Sequence, residues 1–230
     1  MTRTTNARLA GFMFLFYIAI GIASMVLFGR ATNAQGIAAK LAGIAEHASD
    51  VRLAAMLSMF TGFVALVLGV SLYAITRDED PDLAMLGLTC RVVEGVVGGF
   101  SIQRSLGLLW LATADGANAT DAAGAHALGA FLLMGQGWSP IVGATFFAVG
   151  STLFSWLLLR GRMIPVALAW LGVLASVLLV VLLPTQLVGF FTGPVGWFMW
   201  LPMLVFEVTL AMWLLIKGVA MPASRRAVVS

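Results

Sequence analysis

Long apolar runs, each carrying only a few polar marks, recur from one end of the chain to the other. Six of them reach the roughly 20 residues that a helix needs to cross a hydrocarbon core, over residues 9–29, 53–76, 83–112, 139–159, 164–183 and 195–217. Backbone amides in lipid must be satisfied within their own segment, so each run is predicted to be a helix. The expected fold is an all-α membrane protein, a bundle of six transmembrane helices with one or two short amphipathic outer helices, forming one integral membrane domain over 1–230.

The connections differ in kind. RDEDPD, at 77–82, is a short charged turn with Pro81 as its breaker, suited to joining two antiparallel spans. Between 33 and 48, Ile37, Leu41, Ile44 and Ala48 recur at helical spacing while Lys40, Glu46 and His47 lie off that stripe, which predicts a short helix with one apolar face. Residues 120–134 read either as a second such helix or as a tilted start of the fourth span, with GQGWSP at 135–140 expected to break the helix.

Composition agrees with this pattern. Of 230 residues, 61% are hydrophobic and 10% charged, with a mean hydropathy of +1.02, whereas soluble domains carry about 25% charged residues. Arg3 and Arg8 ahead of the first run resemble a secretory signal, but a run of this length without a small-residue cleavage site reads as a retained span. The single cysteine, Cys90, excludes an intrachain disulfide and reads as a small buried hydrophobe.

The net charge of +3 does not call for nucleic acid, because the cations flank apolar segments. With the N-terminus inside, Arg3, Arg8, Arg77, Arg160, Arg162, Lys217, Arg225 and Arg226 are cytoplasmic, against Arg30, Lys40 and Arg52 outside. That excess predicts a multi-pass protein of the cytoplasmic membrane with both termini cytoplasmic. The lipid bilayer is the expected partner, nucleic acid is not, and nothing in the chain calls for a homo-oligomer.

Charges inside the spans carry the candidate chemistry, since they are costly at membrane depth and mark functional sites by default. Glu94 follows Arg91 by one helical turn and lies about 15 Å into its span, near the middle of a core about 30 Å thick. Glu207 is some 18 Å deep in the last span by the same rise per residue. Arg91, Glu94 and Glu207 are therefore expected at one level, with Arg91 bridging the two carboxylates and Ser101 on nearly the same face. Arg104 is expected to reach outward, and Gly95 with Gly99 to let another helix approach closely.

Elsewhere the chain offers little chemistry. His47 and His126 lack a second ligand nearby and read as surface or capping residues, while Trp110, Trp138, Trp197 and Trp200 read as an aromatic belt. There is no HExxH, GxSxG or phosphate-binding glycine loop. No catalytic residue, metal ligand or cofactor is expected.

The order of RLAGFMFLFY, CRVVEG, GATFFAVGSTLFSWLLLRGRMIPVALAWLGVLA and LPMLVFEVTLAMWLLIKG along the chain resembles an uncharacterised family of bacterial multi-pass membrane proteins, domain of unknown function 4386. The resemblance rests on that order and on Arg91, Glu94, Glu207 and Lys217 falling at matching places. It implies a six-helix integral membrane protein and brings no activity. Three functions remain open from the residues: binding or transport of a small polar or lipid-headgroup ligand at the Arg/Glu cluster, a scaffold or accessory protein whose ion pairs are structural, and an intramembrane lipid-modifying enzyme with a glutamate as base.

Overall fold

The computed structural model describes residues 1–115, 121–191, 196 and 198–221, with only the backbone described at 135–139. Among these residues there are seven helices: α1 (Arg3–Thr32), α2 (Ile37–Glu46), α3 (Ala48–Thr76), α4 (Pro81–Thr113), α5 (Ala122–Arg160), α6 (Val166–Leu187) and α7 (Leu201–Ile216). Five segments are long and apolar enough to cross a membrane, namely α1, α3, α4, α6 and the Pro140–Arg160 part of α5. The 16 residues of α7 fall short of the usual length, and the residues preceding it that complete the expected sixth span lie in part outside those described.

Of the two readings of 120–134, the structure has the segment continuous with the fourth expected span and no separate element, and the expected break at GQGWSP is not made: α5 runs without interruption from Ala122 through Pro140 to Arg160. Proline forfeits one hydrogen bond and crowds the preceding turn, yet in an apolar setting ending the helix would strand several more backbone groups without partners, and the helix continues. Pro184 is passed in the same way inside α6, where Thr185 Oγ1 donates to the Leu182 carbonyl nearby. Of the tryptophans assigned to a belt, Trp110 is exposed, whereas Trp200 turns its ring toward Phe147 with centroids 6.1 Å apart. Trp138 and Trp197 lie outside the described side chains.

The chain forms two compact units, both discontinuous in sequence. The first takes Met1–Tyr17, Phe63–Gly95 and the described residues from Ile141 onward. Its buried core is drawn from α1, α3, α5, α6 and α7, with Ala7, Ala10 and Phe14 of α1 and Leu68, Leu72 and Ile75 of α3 among its members, and α4 packs Leu88 against it. The buried positions of α7 are Met203, Phe206, Glu207, Leu210, Ala211 and Leu214, a single stripe at helical spacing that carries one carboxylate. Glycines set the closest approaches: a Cβ on Gly11 of α1 would stand 2.7 Å from the Ala211 carbonyl of α7, and one on Gly172 of α6 would meet the Phe206 ring and Ser155 Oγ.

The second unit takes Ile18–Gly62 and Val96–Pro140. Here α2 is the short amphipathic helix expected at 33–48: Leu41 and Ile44 are buried, and Ile37 packs on the same cluster beside Ala31, Val51 and Leu108. Its apolar face lies on protein, with Gly43 against the Ala31 carbonyl and Gly129 of α5 against Ile37 and Leu41. His47 ends α2, its amide donating to the Gly43 carbonyl, and its ring stands 3.7 Å from Asp50. Ser24 Oγ of α1 donates to the Ala54 carbonyl of α3 at 3.0 Å.

The expected close approach at Gly95 and Gly99 is not made at Gly99, where an added Cβ would have no described atom of another helix within 4 Å. That contrast gives a test. Gly11→Ala should overpack against a backbone oxygen and destabilise the protein by about 1–3 kcal/mol. Gly99→Ala, with open space and a helical backbone, should be neutral or gain up to about 1 kcal/mol from helix propensity. Thermal unfolding of the two variants in detergent reads the difference, and equal effects would contradict the packing.

Candidate functional site: a buried arginine and glutamate cluster

Glycines on two neighbouring helices press against α4 where Arg91 begins. A Cβ on Gly69 of α3 would lie 3.0 Å from Arg91 Cβ, and one on Gly150 of α5 would lie 3.2 Å from Cys90 Cβ and 3.5 Å from Arg91 Cδ. Small residues at these positions admit the long side chain between the helices. The result is a guanidinium only 2% exposed, the largest fully buried side chain described.

One helical turn on, Glu94 sits over Arg91. Arg91 Nη1 lies 2.9 Å from Glu94 Oε2, an ionic contact whose angle falls short of a directed hydrogen bond. The other carboxylate oxygen is held from α1, where Tyr17 donates its hydroxyl proton to Glu94 Oε1 at 2.6 Å. The Arg91 guanidinium also lies 5.4 Å from the Tyr17 ring centroid and 5.0 Å from that of Phe147 on α5. Aromatic faces attract cations most strongly where water is excluded, so two rings and one carboxylate share the stabilisation of a single cation.

Glu207 arrives from α7 on its buried stripe, 6% exposed. It lies close enough for its charge to interact with Arg91, Glu94 and Tyr17. It does not come within salt-bridge distance of Arg91, whose described ion pair is with Glu94. The expected bridge from Arg91 to both carboxylates is thus replaced by a pair within one helix and a second carboxylate nearby. The reason is geometric: at three residues' separation on one helix the Arg91 and Glu94 side chains meet without any movement of the backbone.

Several polar atoms of this cluster are buried without a hydrogen-bond partner among the described residues, namely Arg91 Nε and Nη2, Glu207 Oε1 and, despite its ionic contact, Glu94 Oε2. Ser101, two turns farther along α4, belongs to the second unit, where its carbonyl accepts Ser105 Oγ at 3.1 Å. Arg104 lies in that unit as well, and its Nη2 has no partner.

Tyr17 and Phe147 are the members that sequence reasoning missed. Tyr17 carried a legible signal, as one of two tyrosines in the chain and a polar hydroxyl inside an apolar run, since a buried phenol seeks a partner. Phe147 carried none, being one of 15 phenylalanines.

A family described as a domain of unknown function, DUF4386, has a model that matches residues 9–218. The chain belongs to this family. The match spans all the described helices except the first six residues of α1, and takes in Tyr17, Arg91, Glu94 and Glu207. No curated protein and no solved structure matches the chain.

The hydrogen bond from Tyr17 defines the second test. Tyr17→Phe leaves a buried carboxylate oxygen without its donor and should cost about 1–3 kcal/mol, whereas Arg91→Gln, which strands Glu94 outright, should cost about 3–5 kcal/mol. In double-mutant cycles read by thermal unfolding, Arg91 should couple more strongly to Glu94 than to Glu207. Equal coupling would mean that Arg91 bridges both carboxylates after all.

Proposed function

We propose that this protein is a six-span membrane protein that binds or transports a small polar solute or a lipid headgroup at the cluster of Arg91, Glu94 and Glu207. The observation that carries this reading is the unspent hydrogen-bonding capacity of Arg91 Nε and Nη2 and of Glu207 Oε1 within one buried group of charges. Ion pairs that only fasten helices are stable when their remaining donors and acceptors are closed on one another. Here donors and an acceptor remain, which suits a ligand offering an acceptor oxygen to Arg91 and a donor to Glu207, such as a zwitterion or a hydroxylated headgroup.

The second reading, a scaffold or accessory protein with structural ion pairs, draws support from the tight seating of Arg91 between two aromatic rings and two glycine approaches. The two readings separate in a thermal-shift series on protein in lipid nanodiscs, using small carboxylates, amines, amino acids and glycerophosphate headgroups at millimolar concentration. The binding reading expects one class to raise Tm saturably by about 5 °C or more, since a ligand at 100 times its Kd contributes about 2.7 kcal/mol to the stability of a chain of this size. Glu207→Gln and Arg91→Lys should abolish that shift. If no class shifts Tm, the scaffold reading stands.

The topological part of the proposal places both termini on the cytoplasmic side, supported by the excess of Lys and Arg at that face. A cysteine at Thr2, in a background lacking Cys90, should resist an impermeant thiol reagent applied to intact cells and react after the membrane is opened. Labelling before opening would reverse the topology.

A further inference from the structure

Four helices of the first unit place the same order of features along their length, leading away from the ionic cluster. Moving one turn along α1 from Tyr17 reaches Phe14, along α3 from Gly69 reaches Leu72, and along α7 from Glu207 reaches Leu210. On α5 the step from Gly150 leads to Ser151 and Ser155, one turn apart and so on one face. Phe14, Leu72, Ser151, Ser155, Phe206 and Leu210 line one small cavity of about 10 Å³, room for a single water-sized group. Its wall is apolar except for the two serines.

Beyond the cavity in the same direction the helices end in a band of ion pairs. Arg160, which ends α5, holds Glu79 at 3.3 Å and Asp80 at 3.2 Å in the turn between α3 and α4. Arg3, at the start of α1, reaches Asp78 in that turn at 3.5 Å, donates to the Ile75 carbonyl at the end of α3 and touches Met163 Sδ at 3.3 Å. The Met163 carbonyl in turn accepts the Ala220 amide beyond α7. These contacts tie the start of α1, the α3–α4 turn, the end of α5 and the residues after α7 to one another. Glu79 is nearly buried, with 7% of its side chain exposed, whereas Arg160 is 49% exposed and open to screening.

We propose that this stack is the access route to the buried cluster: the Arg160–Glu79–Asp80 and Arg3–Asp78 pairs form a latch, the Phe14, Leu72, Phe206 and Leu210 side chains an apolar plug, and the Ser151 and Ser155 hydroxyls the polar relay for a small hydrated solute. The proposal rests on the binding reading above for its purpose, though the route can be tested without any ligand. The face bearing the latch is the one that the Lys and Arg excess assigns to the cytoplasm, so the solute is loaded or released there. Opening requires only that partly exposed ion pairs part and helix ends separate, while the core around α6 keeps its packing.

The experiment uses the full chain with Cys90→Ala, reconstituted in lipid vesicles, and the small cationic reagent methanethiosulfonate ethylammonium as the probe. Ser155→Cys is the reporter, Asp82→Cys marks the latch face, and Ala31→Cys, buried in the second unit, reports general loosening. From the face that labels Asp82→Cys, Ser155→Cys should react slowly, and Arg160→Gln should accelerate it about five- to tenfold, the size expected when two partly exposed ion pairs are lost. Arg160→Lys should restore slow labelling. Without any further substitution, raising salt from about 0.1 M to 1 M shortens the screening length from about 10 Å to 3 Å and should accelerate labelling in the same direction. Ala31→Cys should keep its rate throughout. Unchanged Ser155→Cys labelling in both Arg160→Gln and high salt, acceleration from the opposite face only, or equal acceleration of Ala31→Cys would each overturn the route. Acceleration as expected, with no ligand found for the cluster, would leave the route standing and remove the binding reading.

Discussion

Placing one guanidinium in the middle of an apolar helix bundle is the constraint around which the first unit is arranged. Insertion of an unpaired arginine at membrane depth costs about 2.5–3.5 kcal/mol even on the mildest scales, several times the roughly 0.2–1 kcal/mol that an exposed ion pair returns. The helix carrying Arg91 is therefore surrounded by compensating groups. Glu94 comes from the same helix, Tyr17 from α1, Phe147 from α5 and the charge of Glu207 from α7. The glycines at 69 and 150 provide the space in which those groups can close on the cation.

The compensation is incomplete in a specific way. Glu94 is satisfied at one oxygen by a phenol and at the other by charge without good hydrogen-bond direction, while Arg91 keeps two nitrogens and Glu207 one oxygen without partners. A buried network of this kind is held together by electrostatics and by packing, and less by directed bonds. Such a network is less stable than one in which every lone pair is matched, and it is also more ready to accept another polar group. Tight packing and chemical incompleteness coexist here because the first is set by glycines and aromatic rings and the second by the count of donors and acceptors.

The ion pairs at the chain ends serve a different purpose. Arg3, Asp78, Glu79, Asp80 and Arg160 lie where helices terminate, so their pairing fixes the ends of α1, α3, α4 and α5 relative to one another within the first unit. The partial exposure of Arg3, Asp78, Asp80 and Arg160 keeps their pairs weak and salt-sensitive, while Glu79 is nearly buried. Charge is thus shielded from solvent in the interior and open to screening at the rim.

Hydrophobic length, the short amphipathic helix at 33–48 and the burial of Arg91, Glu94 and Glu207 within apolar helices were legible from the residues, because run length, helical periodicity and the place of a charge in an apolar run are local properties of the chain. The same local rules failed at Pro140, where a proline did not end the helix, and at Gly99, where a glycine free to admit a neighbour has none among the described residues. Which glycine receives a helix, which aromatic ring faces Arg91, and whether Arg91 pairs with Glu94 or with Glu207 depend on the rotation and register of separate helices. Those are set by side-chain fit across the whole bundle, and no segment carries that information alone. The amino-acid sequence by itself determined that this is a multi-pass helical membrane protein with charges set inside its apolar helices. Only the tertiary structure decided how those charges are shared, because the partners of a buried charge come from helices that are distant in the chain.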